Sequence, residues 1–140
     1  IGDRLAEEVK MRFGSAHPLV QEIRAEVPGR NMRTGLPDKA IFSTRELREA
    51  LDEPISDVVD AVKVTLDRTP PELAVDLMER GIALAGGGSL LIGLADRLRA
   101  ETGMPVWMVP DPLTAVVEGA GRVLEEFSRF GELIFGDSSE

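Results

Sequence analysis

The sequence predicts an α/β fold with a small mixed α+β section in front of it, on two observations. In the second half, short apolar runs and helical segments follow in the order strand, glycine turn, helix, strand, helix. This order predicts a right-handed crossover between two parallel strands. In the first half, a charged helical segment precedes two short strand-like segments separated by turn residues, which predicts a small antiparallel sheet.

Each element is predicted from the spacing of its apolar residues and from the residues at its ends. Ser43 and Glu46 form a capping box, Pro54 opens a new helix, and Gly81 and Gly103 end two others. In chain order the predicted elements are a helix over 1–15 capped by Gly14, strands over 19–30 and 39–42, a short helix over 43–51, a helix from 54 through 66, a helix over 69–80 capped by Thr69, a strand over 82–85, a helix over 89–102, a strand over 105–109, a last helix capped by Asp111-Pro112 and a loose tail from 130.

Composition restricts the class of function. The chain has 140 residues, 43% of them hydrophobic, which is enough for one core. A formal net charge of −9 argues against nucleic-acid binding, which depends on Lys and Arg. There is no Cys and His17 is the single histidine, so disulfides and a His-rich metal site are excluded. With no signal peptide and no apolar run of ~18 residues, a cytoplasmic protein is expected, and Ile1 in place of Met predicts that it is cut from a longer one.

The turn Gly86-Gly87-Gly88-Ser89, between a predicted strand and a predicted helix, is the strongest candidate for a ligand contact. Glycines let the backbone approach a ligand closely, and N–H groups at a helix start favour an anion or a polar group. The alternative is a tight turn with no ligand. The spacing fits neither a Walker A loop nor the dinucleotide-binding fingerprint.

Three other features are weaker candidates. Glu7, Glu8 and Lys10 could hydrogen-bond a ribose or a base edge, but a solvated helix face with local ion pairs is the ordinary explanation. His17 has no partner that would indicate catalysis. The apolar segment 127–135 could dock on another surface, with core packing and a frayed end as the simpler explanation.

Short runs along nearly the whole chain match one known family in the same order. They are Ile1-Gly2-Asp3-Arg4, Ala6-Glu7, Lys10, Gly14-Ser15-Ala16, Gly29-Arg30-Asn31, Thr34-Gly35-Leu36-Pro37, Asp67-Arg68-Thr69-Pro70-Pro71-Glu72-Leu73-Ala74, Arg80-Gly81-Ile82-Ala83-Leu84-Ala85-Gly86-Gly87-Gly88-Ser89-Leu90-Leu91, Thr102-Gly103-Met104-Pro105-Val106 and Asp111-Pro112-Leu113-Thr114. Together they resemble MreB, the bacterial actin homologue. Each run is weak alone, but the combination is specific.

The resemblance implies part of an actin-like ATPase fold of the ribonuclease H-like kind. Residues 1–52 would form a small outer subdomain, 53–128 the inner subdomain with its return helix, and 129–140 a flexible tail. Members of the family bind ATP or ADP with Mg²⁺, hydrolyse ATP and polymerise. Their filaments lie under the cytoplasmic membrane and organise cell-wall synthesis, so the implied partners are other subunits, the cell-wall elongation machinery and the membrane surface.

The family's adenosine-contacting positions fall on two places in this chain. They are the helix stretch Glu7-Glu8-Val9-Lys10 and the turn Gly86-Gly87-Gly88-Ser89. The phosphate-binding loops and the residues that hold Mg²⁺ or activate water precede this region in the family. The resemblance therefore implies no catalytic or metal-binding residue here, and weak or no nucleotide binding by these 140 residues alone. Leu5 and Ala85 depart from the usual threonine, and Glu118 from a usually apolar position.

Two other functions stay open at this level. One is a different ATPase of the same clan, of the sugar-kinase or chaperone type. A chaperone is expected to continue past Glu140 into a peptide-binding domain. The other is an interaction module that binds no nucleotide and docks on membrane-anchored cell-wall elongation proteins.

Overall fold

The computed structural model describes residues 1–127 and residue 130, and its elements alternate between helices and short strands. In chain order they are α1 (Asp3–Phe13), β1 (Arg24–Arg30), β2 (Pro37–Ser43), α2 (Thr44–Asp67), α3 (Pro71–Arg80), β3 (Ile82–Leu84), a single 3₁₀ turn (Gly87–Leu90), α4 (Leu94–Thr102), β4 (Val106–Met108) and α5 (Ala115–Glu125). The mixed α/β class is as predicted. The predicted tail lies outside the described residues, except for Phe130.

The strands form two separate two-stranded sheets. β1 and β2 pair antiparallel with Val27 opposite Ala40, and β3 and β4 pair parallel with Ala83 opposite Trp107. Both predicted pairings are confirmed. Strand β1 begins at Arg24, five residues later than the predicted residue 19, because Ile23 bonds to Thr44 at the start of α2 instead of to a strand.

Helix α1 lies along the β1–β2 hairpin. At the base of the hairpin, the rings of Phe13 and Phe42 meet edge to face with centroids 5.8 Å apart. Towards the turn, a Cβ placed on Gly29 would lie 3.4 Å from Ile1 Cγ2. The start of α1 is therefore beside the turn of the hairpin and its end is beside the base.

Helix α2 is one continuous helix of 24 residues, where two helices had been predicted. Pro54 lies inside it and removes the N–H that would bond the carbonyl of Ala50. Both residues are exposed, so water can satisfy that carbonyl. Residues 52 and 53, where the subdomain boundary was predicted, fall within this helix, and the boundary stays a prediction.

The caps predicted for two helices have different outcomes. Ser43 and Glu46 form the complete capping box at the start of α2, as predicted. The Thr69 hydroxyl donates to the Thr65 carbonyl at 2.8 Å, so it does not cap α3. Pro70 holds the N-cap position of α3 instead, without a side-chain hydrogen bond.

The core lies between α2, α4 and β4. Its buried members are Ala16, Ile55, Val59, Leu98 and Val106, and partly buried apolar residues of β3 and α4 pack around them. The apolar spacing predicted for α2 and α4 therefore points inward. α1 contributes Val9, which is buried as its helical spacing predicts.

Helix α4 begins at Leu94, five residues later than predicted. Gly93 has a left-handed φ of 76°, and a side chain there would meet His17, with a Cβ 2.8 Å from His17 Cβ. Ile92 pairs with Ser15 as an isolated parallel bridge. The backbone therefore leaves helical geometry at 91–93 to bond to the end of α1.

Helices α3 and α5 leave much apolar surface exposed. On α5, Val116 is 73% exposed and Leu124 is equally open. Leu73 and Met78 on α3 and Trp107 on β4 are also exposed. The apolar residues of α5 recur at helical spacing, but none of them is fully buried in the described chain.

Candidate functional site

The glycine turn is fixed at its first and last residues. Gly86 has φ 80° and ψ 168°, a region that favours glycine, and its N–H donates to the Pro112 carbonyl at 2.7 Å. Ser89 closes the turn, because its hydroxyl donates to the Gly86 carbonyl at 2.6 Å and its N–H to the same oxygen at 3.2 Å. The turn therefore has a defined shape without a ligand.

Packing within the described chain does not require glycine at the two middle positions of the turn, Gly87 and Gly88. A Cβ on Gly88 would have no atom within 4 Å, and one on Gly87 would only touch Leu113 at 3.4 Å. Neither has a positive φ. Their N–H groups have no acceptor among residues 1–127 and 130. The turn thus offers open space and two backbone donors, which is the arrangement that a closely approaching polar ligand requires.

The Pro112 carbonyl, which accepts the Gly86 N–H, belongs to the segment that leads into α5. Asp111 has a left-handed φ of 48°, and its carbonyl accepts the N–H of Thr114 at 3.0 Å and of Ala115 at 3.1 Å. The cap predicted at Asp111-Pro112 is therefore wrong: α5 begins at Ala115, Thr114 holds its N-cap position, and no side chain caps it. Because Pro112 bonds to Gly86, α5 and the glycine turn are connected at this point.

The charged residues of α1 pair with one another. Glu7 Oε2 lies 2.7 Å from Lys10 Nζ, and Glu8 Oε1 lies 3.2 Å from Arg4 Nε. Both pairs are exposed helix pairs, worth only a few tenths of a kcal/mol. Val9 points into the protein. The charged groups of Glu7 and Lys10 therefore lie at the protein surface and not in the core.

The backbone connects α1 to the segment that follows the glycine turn. The N–H of Ala16 donates to the Ile92 carbonyl at 2.7 Å, and Ser15 forms the bridge with Ile92. The Gly14 that caps α1 is close to Leu91, because a Cβ there would lie 3.3 Å from Leu91 Cδ1. The two predicted contact regions therefore belong to one connected piece of structure.

Ser15 is a feature that the sequence did not single out. It is fully buried, and its hydroxyl has no hydrogen-bond partner among the described residues. The signal available was the run of small residues Gly14-Ser15-Ala16 directly after a helix. That run permits the close approach of the end of α1 to Ile92.

Charged groups also join the front section to α2. Glu22 accepts a hydrogen bond from the Thr44 hydroxyl and lies 2.7 Å from Arg48 Nη1. The Thr44 hydrogen bond, with the Arg48 guanidinium second, lowers the pKa of the Glu22 carboxyl. The Ile23 N–H donates to Thr44 Oγ1 at 3.1 Å. These contacts hold the segment before β1 against the start of α2.

A second network joins α2 to α4. Arg97 lies 3.1 Å from both Asp52 and Glu101, and Lys63 lies 2.7 Å from Glu101. The Lys63 hydrogen bond and charge lower the pKa of Glu101. A shallow surface depression of about 260 Å³ next to this network is lined by both charge signs, including Arg48 and Arg97. Arg48, Asp52 and Arg97 of its lining are in ion pairs, and Glu49 is exposed.

Residues 1–127 and 130 contain neither a candidate metal site nor a helix suited to cross a membrane. No group of three His, Asp or Glu side chains there could hold a metal ion. None of the helices in this part combines the length and the apolar character needed to cross a membrane. His17 is exposed beside Gly93, as expected for a loop residue.

Comparisons with known proteins identify the family. The family model described as MreB/Mbl protein matches residues 1–132. The cell shape-determining protein MreB of Escherichia coli K12 is 44% identical over 98% of this chain and 40% of its own length. The cell shape-determining protein Mbl of Bacillus cereus is 40% identical over 92% of this chain and 39% of its own length.

Similar solved structures belong to the same family. MreB5 of Spiroplasma citri bound to ADP superposes with a TM-score of 0.86 at 33% identity, covering 94% of this chain and 40% of the other. The same protein bound to AMPPNP gives a TM-score of 0.85. The fold is a partial actin-like α/β fold, as predicted, and the chain belongs to the MreB/Mbl family. It spans about 40% of the length of these relatives.

Proposed function

We propose that this chain is part of an ATP-binding, filament-forming bacterial actin homologue, in which it supplies the adenosine side of the nucleotide site. One observation carries the proposal. In a family with nucleotide-bound members, the turn at 86–89 keeps two glycines, Gly87 and Gly88, that packing within the described chain does not require. A ligand that fills the space above the turn explains why a side chain is absent there.

Glu7, Glu8, Val9 and Lys10 are proposed as the second contact region. Glu7 and Lys10 remain near the surface in an exposed pair, so a ribose or base can replace that pair at a loss of only a few tenths of a kcal/mol. Val9 anchors the helix in the core, and Glu8 is held by Arg4. We assign hydrogen bonding to the two charged ends of the Glu7–Lys10 pair and positioning to the other two residues.

The proposed ligand is ATP or ADP with Mg²⁺ in the full-length protein, meaning a protein as long as the matched relatives. The turn's free N–H groups and the charged pair of α1 fit the polar edges of a nucleoside. Residues 1–127 and 130 hold no cluster suited to Mg²⁺. In the family, the phosphate-binding loops and the residues that hold Mg²⁺ or activate water precede this region. We assign metal binding and hydrolysis to the rest of the full-length protein on that ground, and expect weak or no nucleotide binding by these 140 residues alone.

The proposed cellular role follows from the family. Two relatives, MreB and Mbl, are named cell shape-determining proteins. We propose that the full-length protein assembles with itself into cytoplasmic filaments at the membrane surface, where it works with the cell-wall elongation machinery. The net charge of −9 continues to argue against nucleic acid as a partner.

Calorimetry of ATP binding tests the proposal. The full-length protein with Mg²⁺ is expected to bind ATP, and the 140-residue chain is expected to bind at least tenfold more weakly, a difference of about 1.4 kcal/mol. Sedimentation of the full-length protein with ATP then tests assembly. A full-length protein that neither binds ATP nor sediments at high concentration refutes the proposed function.

A further inference from the structure

A second surface depression, of about 420 Å³, lies where the base of the β1–β2 hairpin meets the start of α2. This volume falls within the range of sites that take small ligands. We call it the hairpin-base depression, and its lining residues are Arg24, Ile41, Phe42, Ser43, Arg45 and Glu46. They come from β1, β2 and α2, so three elements converge on one concave surface.

The two arginines of the hairpin-base depression have no partner of opposite charge. Arg24 and Arg45 are both exposed, and neither forms an ion pair or a side-chain hydrogen bond among residues 1–127 and 130. The chain as a whole carries a net charge of −9, so carboxylates are abundant. Two unpaired guanidinium groups at one place in such a chain therefore require an explanation.

The carboxylates near these arginines already have other partners. Glu46 Oε2 accepts the Ser43 N–H at 2.7 Å and the Ser43 hydroxyl at 2.8 Å in the capping box. Glu22 Oε2 accepts the Thr44 hydroxyl, and Glu22 Oε1 lies 2.7 Å from Arg48 Nη1. Because each carboxylate serves a structural contact of α2, the two guanidinium groups are left available to an external ligand.

The hairpin-base depression keeps a net positive charge. The hydrogen bonds from the Ser43 backbone and hydroxyl lower the pKa of the Glu46 carboxyl, and the charge of Arg24 adds a smaller effect in the same direction. Glu46 is therefore ionised at neutral pH and opposes an anion. The two guanidinium groups outnumber this one carboxylate, so the lining still attracts an anion.

An apolar side chain lies beside the charges. Ile41 lines the same depression and is 69% exposed. It is opposite Glu26 in the hairpin, next to the pair in which Val27 is buried opposite Ala40. Since neighbouring residues of a strand point to opposite faces, Ile41 belongs to the outer face of the hairpin. A ligand with an anionic head and an apolar part can contact the arginines and Ile41 together.

We propose that the hairpin-base depression binds a small organic phosphate monoester, whose phosphate bridges Arg24 and Arg45 and whose organic part lies on Ile41. Guanidinium groups match the oxygens of phosphate in bidentate geometry, and a phosphate monoester has three terminal oxygens and two charges to share between two of them. This site shares no residue with the glycine turn or with the helix stretch 7–10. It goes beyond the nucleotide-binding function proposed above.

The headgroup of an anionic lipid is another source of the same phosphate chemistry. Two arginines contribute about 1 kcal/mol each near an anionic membrane surface, while the net negative charge of the chain opposes the approach. Ile41 is a single apolar side chain and gives little area for insertion into a bilayer. The observations therefore favour a soluble phosphate, and lipid vesicles serve as the comparison.

Calorimetry of the full-length protein tests the site with phenyl phosphate and benzoate as a matched pair of ligands. The protein is kept below its assembly concentration and saturated with ADP and Mg²⁺, so that the nucleotide site is filled. Phenyl phosphate is expected to bind saturably and roughly tenfold more tightly than benzoate, which has the same ring but only two oxygens and one charge. Inorganic phosphate, which lacks the ring, is expected to bind roughly threefold more weakly than phenyl phosphate.

Substitutions locate the binding. Arg24→Gln and Arg45→Gln are each expected to weaken phenyl phosphate binding roughly tenfold, and the double variant to show no saturable binding. Arg68→Gln is the matched control and should bind as wild type does, because Arg68 is exposed, lies outside the depression and has no ion pair in the described ranges. Ile41→Ala should remove the difference between phenyl phosphate and inorganic phosphate. Unchanged urea midpoints would show that the variants are folded.

The outcomes distinguish the ligand classes. Equal binding of phenyl phosphate by wild type and the double variant, or no saturable binding by wild type, overturns the proposal. Equal affinity for benzoate overturns the assignment to phosphate. If wild type binds vesicles that contain phosphatidic acid, Arg24→Gln does not, and soluble phosphates fail to bind, the occupant is a lipid and the proposal is again overturned.

The same titrations keep this inference apart from the proposed function. Arginine-dependent binding of phenyl phosphate by a protein that does not bind ADP would refute the proposed function and leave the hairpin-base depression as a phosphate site. Binding of ADP without arginine-dependent binding of phenyl phosphate would refute this inference alone.

Discussion

Replacement of Gly81 by alanine is predicted to destabilise the fold strongly. Gly81 joins α3 to β3 with φ 75° and ψ −163°, a conformation almost restricted to glycine, which costs another residue about 1–3 kcal/mol. The new Cβ would lie 2.7 Å from Pro105 Cβ and would overlap the Pro105 carbonyl oxygen. That oxygen accepts the Ile82 N–H at 2.8 Å, so relieving the overlap disturbs the start of the β3–β4 pair. Strain and displacement together predict a loss of about 3 kcal/mol.

Urea unfolding of this chain measures the effect. Trp107 is its only tryptophan and donates to the Arg80 carbonyl at 3.0 Å, so its fluorescence reports on this junction. Gly88→Ala is the matched control, because its Cβ meets nothing, and its stability is expected to stay within about 0.5 kcal/mol of wild type. The reasoning fails if Gly81→Ala loses less than about 1 kcal/mol, or if the two variants are equally destabilised.

Three further predictions concern the contacts of α2. Ser43→Ala removes the side-chain acceptor of the capping box and is expected to cost about 1 kcal/mol in urea unfolding; an unchanged midpoint would contradict this cap. Arg97→Ala is expected to cost about 1 kcal/mol, and a double-mutant cycle with Asp52→Asn should show coupling, whereas additive effects would show that the pair contributes nothing. The pKa of the Glu22 carboxyl is lowered in the folded state. Its contribution to stability is therefore present at pH values above the ordinary pKa of 4.5 and is lost as the pH falls through the folded-state pKa. Glu22→Gln should flatten this acid dependence of the urea midpoint, and a pH profile identical to wild type would contradict the reasoning.

Local signals explain which parts of the fold could be predicted from sequence. The capping box at Ser43 and the glycine caps at Gly81 and Gly103 depend on neighbouring residues alone, and the structure confirms them. The break expected at Pro54 was wrong because packing of Ile55 and the rest of the inner face outweighs the loss of one exposed hydrogen bond. Local propensity carries no information about that packing.

In the candidate site too, local features could be predicted from the sequence and contacts between distant residues could not. The spacing of strand, turn and helix located the glycine turn, but not its 3₁₀ geometry or its bond to Pro112, which joins residues far apart in sequence. The bridge between Ser15 and Ile92 is equally non-local. From the sequence pattern Glu7 and Lys10 are only weak candidates, because a charged pair at this spacing is typical of any solvated helix, and the family resemblance is what raises them to site residues.

The affinity of the full-length Gly88→Ala variant for ATP tests most directly whether the glycine turn belongs to a nucleotide site. The Cβ enters space that is open in this chain, so the fold should be unaffected while a bound nucleoside would be displaced. Calorimetry with Mg²⁺ and ATP is predicted to show binding weakened at least tenfold, about 1.4 kcal/mol, with an unchanged unfolding midpoint. Gly119→Ala, which also meets no neighbour but lies on α5, is the control and should bind as wild type does. Equal ATP affinity for wild type and Gly88→Ala would contradict the assignment of the turn to the nucleotide site.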